Sequence, residues 1–176
     1  MDEVEVSTVV HLPPPEIYEF LVDFPRYADY SEYLREVRRS GDGSVGTRYA
    51  LRFAWWKLTY TAHSEVVDTD PPTRIDWRIV KDIDARGHWR VTEVPEEAPP
   101  DAETACRVAL RIEFDTDSAS SDAIDLPRLV SLSWVIEKVI PLIQDEAERI
   151  VERIVADLEG EPRPVELTVH TTPDSV

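Results

Sequence analysis

Cysteine occurs once, at Cys106, so no internal disulfide can form and no cysteine zinc cluster can be built. Asparagine is absent, which removes every N-glycosylation sequon. Lysine occurs only at Lys57, Lys81 and Lys138; the other bases are arginines. No uninterrupted apolar run approaches ~18 residues, so no membrane-spanning helix is predicted. The opening MDEVEVSTVV is acidic and lacks a signal peptide's apolar core. These absences predict a cytoplasmic protein with no stable membrane insertion.

What is abundant is negative charge. Asp and Glu total 36 against 19 Lys and Arg, a formal net charge of -17. Nucleic acid and anionic membranes need a basic surface, so both are poor partners, and no nucleic acid is expected. Many acids with few lysines is a composition associated with halophilic proteins, and a domain so charged repels itself at low ionic strength. The chain has 176 residues, 42% of them hydrophobic, enough for one domain with a real core.

That core is organised by WVIEKVIPLIQDEAERIVERIVADL, residues 134–158. Ile136, Val139, Ile140, Ile143, Ala147, Ile150, Val151, Ile154, Val155 and Leu158 recur at steps of three and four, one face of an α-helix. Asp145, Glu148, Arg149, Glu152 and Asp157 lie on the other face. Gly160 and Pro162 supply a stop. Pro141 must kink this helix or mark a new start. No second helix of similar length exists to cover the apolar face, and the rest of the chain reads mostly as strand. A sheet is therefore expected to wrap around it.

Residues 3–11 alternate as a half-buried strand, with Val4, Val6, Thr8 and Val10 on one face. Pro13, Pro14 and Pro15 end it and open a short helix from about Pro15 to Val22. A second short helix is predicted over Arg26–Tyr33, with Tyr27, Tyr30 and Tyr33 on one side, packed on the sheet or serving as a pocket lid. Six strands follow, near Leu34–Ser40, Gly46–Trp56, Leu58–Asp68, Arg74–Lys81, Gly87–Val94 and Thr104–Asp115. Asp125 is a candidate N-cap before Leu126-Pro127. The domain is expected to span residues 1–160, with 161–176 an extended tail in which Val165–His170 forms an edge strand or stays loose.

Strand, two short helices, six strands and a long last helix, carried by VVHLPPPEIYEFLVDFPRYADYSEYLREV, VGTRYALRF and DPPTRIDWRIV, resemble the START-like (SRPBCC) superfamily of polyketide cyclases and coenzyme Q-binding proteins. The resemblance covers roughly residues 3–159. It implies an α+β helix-grip fold, a curved antiparallel sheet gripping the C-terminal helix with an apolar cavity between them. It also implies a ligand class: lipids, quinones, polyketides or hormones, with catalysis in a minority of members. The acidic loop 95–103 and the tail depart from the family pattern.

The chemistry readable from motifs is sparse. Gly41-Asp42-Gly43-Ser44-Val45-Gly46 satisfies GxGxxG, but a strand follows where a dinucleotide site needs a helix, so it reads as a hairpin turn. His11, His63, His88 and His170 show no metal-ligand spacing, and there is neither an HExxH nor a GxSxG motif. His63 and Glu65 share a strand face, but it is the one opposite Tyr60, Ala62 and Val66. Cys106 sits in apolar alternation and reads as core. No catalytic residue, metal or cofactor is predicted.

The aromatics are more informative. Tyr49, Phe53, Trp55, Tyr60, Trp77 and Trp89 fall on the apolar faces of their strands, and Trp134, Ile140 and Ile143 face them from the helix. A solid core is the simpler reading, but solid cores rely on Leu, Ile and Val, whereas apolar pockets are commonly ring-lined. These nine residues are the candidate ligand site, for a quinone, isoprenoid lipid or polyketide-like molecule. The alternatives are a cyclase or dehydratase, for which Arg48, His63 or Arg90 would have to face inward, and an interaction module using the tail and the 95–103 loop.

Overall fold

The computed structural model describes residues 2–55, 58–115, 118 and 132–171; the side chains of Phe24, Trp55, Leu58, residues 132–145 and Thr171 are outside that description. β1 (Asp2–Val10) leads into α1 (Pro14–Val22) and a 3-10 helix (Phe24–Asp29). β2 (Leu34–Ser40), β3 (Arg48–Trp55), β4 (Leu58–Asp70), β5 (Arg74–Ile79), β6 (Asp84–Glu93) and β7 (Cys106–Asp115) form a meander. α2 (Leu132–Glu159) and β8 (Thr168–Thr171) complete the chain.

The strands form one curved antiparallel sheet in the order β2-β3-β4-β5-β6-β7-β1-β8. β1 lies between β7 and the tail strand, so the tail does supply an edge, at Thr168–Thr171 and not over the whole of Val165–His170. Register shifts at Leu34/Glu36 and Val66/Asp68 mark irregularities of the kind that bend a sheet, and Val67 at the second is 42% exposed. Gly41 and Gly43 take φ of 127° and 96° in the β2–β3 turn, where the Gly43 amide donates 3.0 Å to Thr47 Oγ1. The GxGxxG string is thus a hairpin connection, its glycines meeting left-handed backbone.

The segment after α1 differs from expectation. The helix predicted to reach Tyr33 is a 3-10 helix ending at Asp29. Pro25 fits its first turn, and a threefold tyrosine repeat suits 3.0 residues per turn. Ser31 Oγ then accepts the amides of Tyr33 (3.2 Å) and Leu34 (3.1 Å), turning the chain into β2.

α2 runs as one helix of 28 residues through Pro141, with no new start there. At 1.5 Å per residue it is about 42 Å long. Ile150, Val151, Ile154 and Leu158 pack against a core of Val10, Ile17, Phe20, Tyr49, Val66, Ile75 and Cys106. Ile143, predicted for the same face, has its side chain outside the described residues, and the N-cap proposed at Asp125 lies outside them altogether.

Polar bonds fix the helix at both its ends within the described part. Glu146 Oε1 accepts the Glu32 amide at 2.9 Å, and the Tyr30 hydroxyl donates 2.7 Å to Asp157 Oδ2. Glu159 accepts the His11 amide (2.8 Å) and pairs with Arg163 (2.7 Å), whose Nη2 reaches the Val9 carbonyl at 2.8 Å.

Candidate functional site

A cavity of about 620 Å3 lies between α2 and the concave face of the sheet. The sheet contributes Val6, Thr8 and Val10 from β1, Val108 and Leu110 from β7, Trp89 from β6, and Leu34, Phe53 and Tyr60 from β2, β3 and β4. The facing wall is helical: Ala147, Ile150, Val151, Ile154, Val155 and Leu158. Ile17 and Phe20 of α1, Tyr27, the Ser31–Tyr33 turn and Leu167 from the tail close the sides. This volume suits a drug-sized molecule, and apolar walls with rings are the usual lining of such sites.

The rings form a connected group. Phe20 and Tyr27 stack with centroids 5.3 Å apart, and Tyr27 meets Trp89 edge-on at 6.4 Å. Burial drives the Tyr27 phenol well above its ordinary pKa, with the Tyr49 and Asp23 charges adding to it, so it stays neutral. Its hydroxyl donates 3.1 Å to the Leu21 carbonyl. Tyr60 is also raised, by burial first and then by Asp82.

Of the nine side chains predicted from sequence, Phe53, Tyr60 and Trp89 are in the wall. Tyr49 lies in the adjoining core, 2% exposed, with its hydroxyl donating 3.0 Å to the Val22 carbonyl. Trp77 shares the concave face with Ile75 and Trp89 by register but is absent from the cavity wall. Its ring lies across Gly87; a Cβ there would crowd both the Arg111 carbonyl oxygen and the indole, which is why a strand interior carries glycine at that point. The side chains of Trp55, Trp134, Ile140 and Ile143 are outside the described residues.

Several wall residues were not among the nine. Tyr27 and Tyr33 carried a signal in their threefold spacing, and Ala147–Leu158 in their helical one. Leu167 had only the weak alternation of the tail. Glu146 had none, being one carboxylate among 36 acids.

The charged strand residues are on the other side. Arg48, His63, Glu65 and Arg90 alternate with buried Tyr49, Ala62, Ser64 and Val91 and therefore stand on the convex face. There Arg78 pairs with Glu65 (3.1 Å), Arg86 with Glu113 (2.6 Å) and Arg111 with Glu3 (2.6 Å). Among the described residues no group of three or more His, Cys, Asp or Glu is arranged to hold a metal. Cys106 is 0% exposed; burial, with Glu93 assisting, pushes its thiol up to about 11, so it is not a nucleophile. Among the described residues no helix is long and apolar enough to cross a membrane.

A curved antiparallel sheet holding a long C-terminal helix across an apolar cavity defines the helix-grip class, as the sequence resemblance implied. Within it the chain belongs to the family described as polyketide cyclase / dehydrase and lipid transport, whose profile matches residues 1–155. The solved structures agree on the fold. The Zhui aromatase/cyclase from Streptomyces sp. R1128 aligns over 89% of this chain and 93% of its own, with TM-score 0.62 and 20% identity. A protein of Thermus thermophilus aligns over 90% and 97%, with TM-score 0.58 and 15% identity. The di-domain ARO/CYC protein BexL aligns over 92% of this chain and 50% of its own, with TM-score 0.55 and 13% identity. At these identities the likeness is one of fold. No curated protein matches the chain in sequence.

Proposed function

We propose that this protein binds and carries a small apolar molecule, of quinone, isoprenoid or polyketide-like type, in the cavity between α2 and the sheet. The observation that carries the reading is the cavity itself: about 620 Å3 walled by aliphatic side chains and rings. An apolar ligand gains roughly 25 cal/mol per Å2 buried, so burying ~300 Å2 gives about 7 kcal/mol, which corresponds to a Kd of about 10 μM before ordering costs weaken it. The groups a reaction on the sheet side would need, Arg48, His63 and Arg90, face away from the cavity. That favours carriage over chemistry.

The second reading is a cyclase or dehydratase acting on an apolar substrate in the same cavity. The family name and the aromatase/cyclase neighbours support it, as does one carboxylate, Glu146, in the wall. Native mass spectrometry of the purified protein tests the first reading. A co-purified or added quinone or isoprenoid retained at one per chain is the expected result. Failure to retain any apolar molecule, with the fold intact by circular dichroism, would remove the carrier reading.

A further inference from the structure

The cavity's free hydrogen-bonding capacity is gathered at one end. Ser7, Thr8 and Tyr27 are already engaged: Ser7 with His170 Nε2 (2.7 Å), Thr8 with the Glu166 carbonyl (3.0 Å) and Tyr27 with the Leu21 carbonyl. The hydroxyl protons of Ser31, Tyr33 and Tyr60 and one carboxylate oxygen of Glu146 remain to bond a ligand. Leu34 pairs with Phe53 and Phe53 with Tyr60, while the Ala54 amide donates 2.8 Å to the Tyr33 carbonyl, so these residues occupy neighbouring positions on β2, β3 and β4. Ser31 Oγ accepts two amides and keeps its proton to donate. Glu146 is anchored from the opposite wall by the Glu32 amide on Oε1, which leaves Oε2. The other end, at Ile17, Ile154, Leu158 and Leu167, is mostly hydrocarbon, its Ser7 and Thr8 hydroxyls bonded to the tail.

Resting on the carrier reading, we propose that the ligand is an amphiphile seated with its head at the Ser31–Tyr33–Glu146 end, and that Glu146 selects the head. The head donates a hydrogen bond and carries no negative charge: a hydroxyl, phenol or ammonium, not a carboxylate or phosphate. The reason is the charge balance at this end. Glu146 is a carboxylate in the wall, and among the described residues the wall holds no Lys, Arg or His to offset it. Glu146 is partly exposed, so a second carboxylate placed beside it meets like charge that solvent only partly screens, whereas a donor satisfies the open oxygen.

The test is a titration of farnesol, farnesylamine and farnesoic acid, which share one apolar body and differ in the head, into wild type and Glu146→Gln near neutral pH. Glutamine keeps an oxygen for the Glu32 amide, and a melting curve of the variant confirms the fold. Burying any ion costs affinity in both proteins, and the field of the whole acidic chain is almost the same in both. The change in the amine-to-acid affinity ratio between them therefore reports Glu146 alone. The expected result is that Glu146→Gln lowers that ratio by about tenfold or more, with farnesol changing by less than about threefold. A ratio that moves by less than about threefold overturns the head assignment while leaving the carrier reading standing. Binding of none of the three to wild type overturns both.

Discussion

The Tyr30 hydroxyl donates a 2.7 Å hydrogen bond to Asp157 Oδ2, tying the turn after the 3-10 helix to the last turns of α2. The bond spans 127 residues of sequence and helps set the gap in which the cavity sits. Tyr30→Phe keeps the ring that meets Phe20 edge-on at 6.1 Å and removes only the hydroxyl. A hydrogen bond to a charged group contributes about 1.5–3 kcal/mol, so urea unfolding should show a loss in that range. An unchanged midpoint and slope would mean that the bond does not anchor the helix.

Glu159 gives a pH prediction. Burial, the largest influence, pushes its pKa up. The Arg163 hydrogen bond, the His11 amide and the charges of Arg163 and His11 outweigh it, so the net shift is downward. A carboxylate depressed on folding adds stability above its unfolded pKa of roughly 4.3 and loses it as pH falls through the lower folded value. Glu159→Gln should therefore melt lower than wild type at neutral pH, the gap closing as the pH is taken down through the carboxylate range. A gap constant with pH would show that Glu159 acts through packing instead.

How much was legible in the sequence depended on periodicity. The α2 face at Ile150, Ile154 and Leu158 and the alternation of β7 could be read because one repeat ran for many residues. The cavity wall was harder, because alternation assigns a face and not a position along it. Tyr49, Trp77 and Trp89 all belong to the concave face, yet only Trp89 reaches the cavity. Tyr49 is capped by the end of α1 through the Val22 carbonyl, and Trp77 lies across Gly87. Neither partner can be inferred from spacing. Glu146 was invisible for a different reason: its role comes from the Glu32 amide, 114 residues away in sequence.

Two positions five residues apart on α2 should separate folding from binding. Val155 borders the cavity too, but it is 1% exposed and belongs to the buried core cluster. An unpaired charge there costs several kcal/mol, comparable to a total stability of about 5–15 kcal/mol, so Val155→Asp should not fold. Ile150 lines the open cavity, so Ile150→Trp has space to fill and should cost about 1–3 kcal/mol at most. It should weaken ligand binding by about tenfold or more. Circular dichroism and a binding titration check the pair; a folded Val155→Asp protein would remove α2 from the centre of the core.

Salt should stabilise the chain. The net charge of -17 disfavours compactness, and screening shortens from about 10 Å at 0.1 M to about 3 Å at 1 M. The convex-face pairs such as Arg86–Glu113 oppose this, since salt weakens them as well, but those exposed side chains contribute little. The melting temperature is expected to climb between these concentrations in sodium chloride, and further in sulfate, which also strengthens apolar burial. A flat response in both salts would leave the excess of Asp and Glu over Lys and Arg without a physical consequence.

The last prediction uses tryptophan to locate the ligand. Trp89 is in the cavity wall, held edge-on by Tyr27, so a bound quinone should contact it and quench its emission. Trp77 is two pairs along the sheet, its ring against Gly87 and outside that wall. Phenylalanine at either position keeps an apolar ring, so both variants should fold. Trp89→Phe should lose a larger share of the ligand-dependent fluorescence change than Trp77→Phe, and should weaken binding by about threefold to tenfold as ring contact is lost. Trp77→Phe should bind as wild type does. Binding measured by calorimetry alongside the fluorescence separates a lost reporter from a lost contact. Should Trp77→Phe be the variant that loses both signal and affinity, the ligand sits farther along the groove, toward the N-terminal half of α2, and the head assignment at Glu146 falls with the present location.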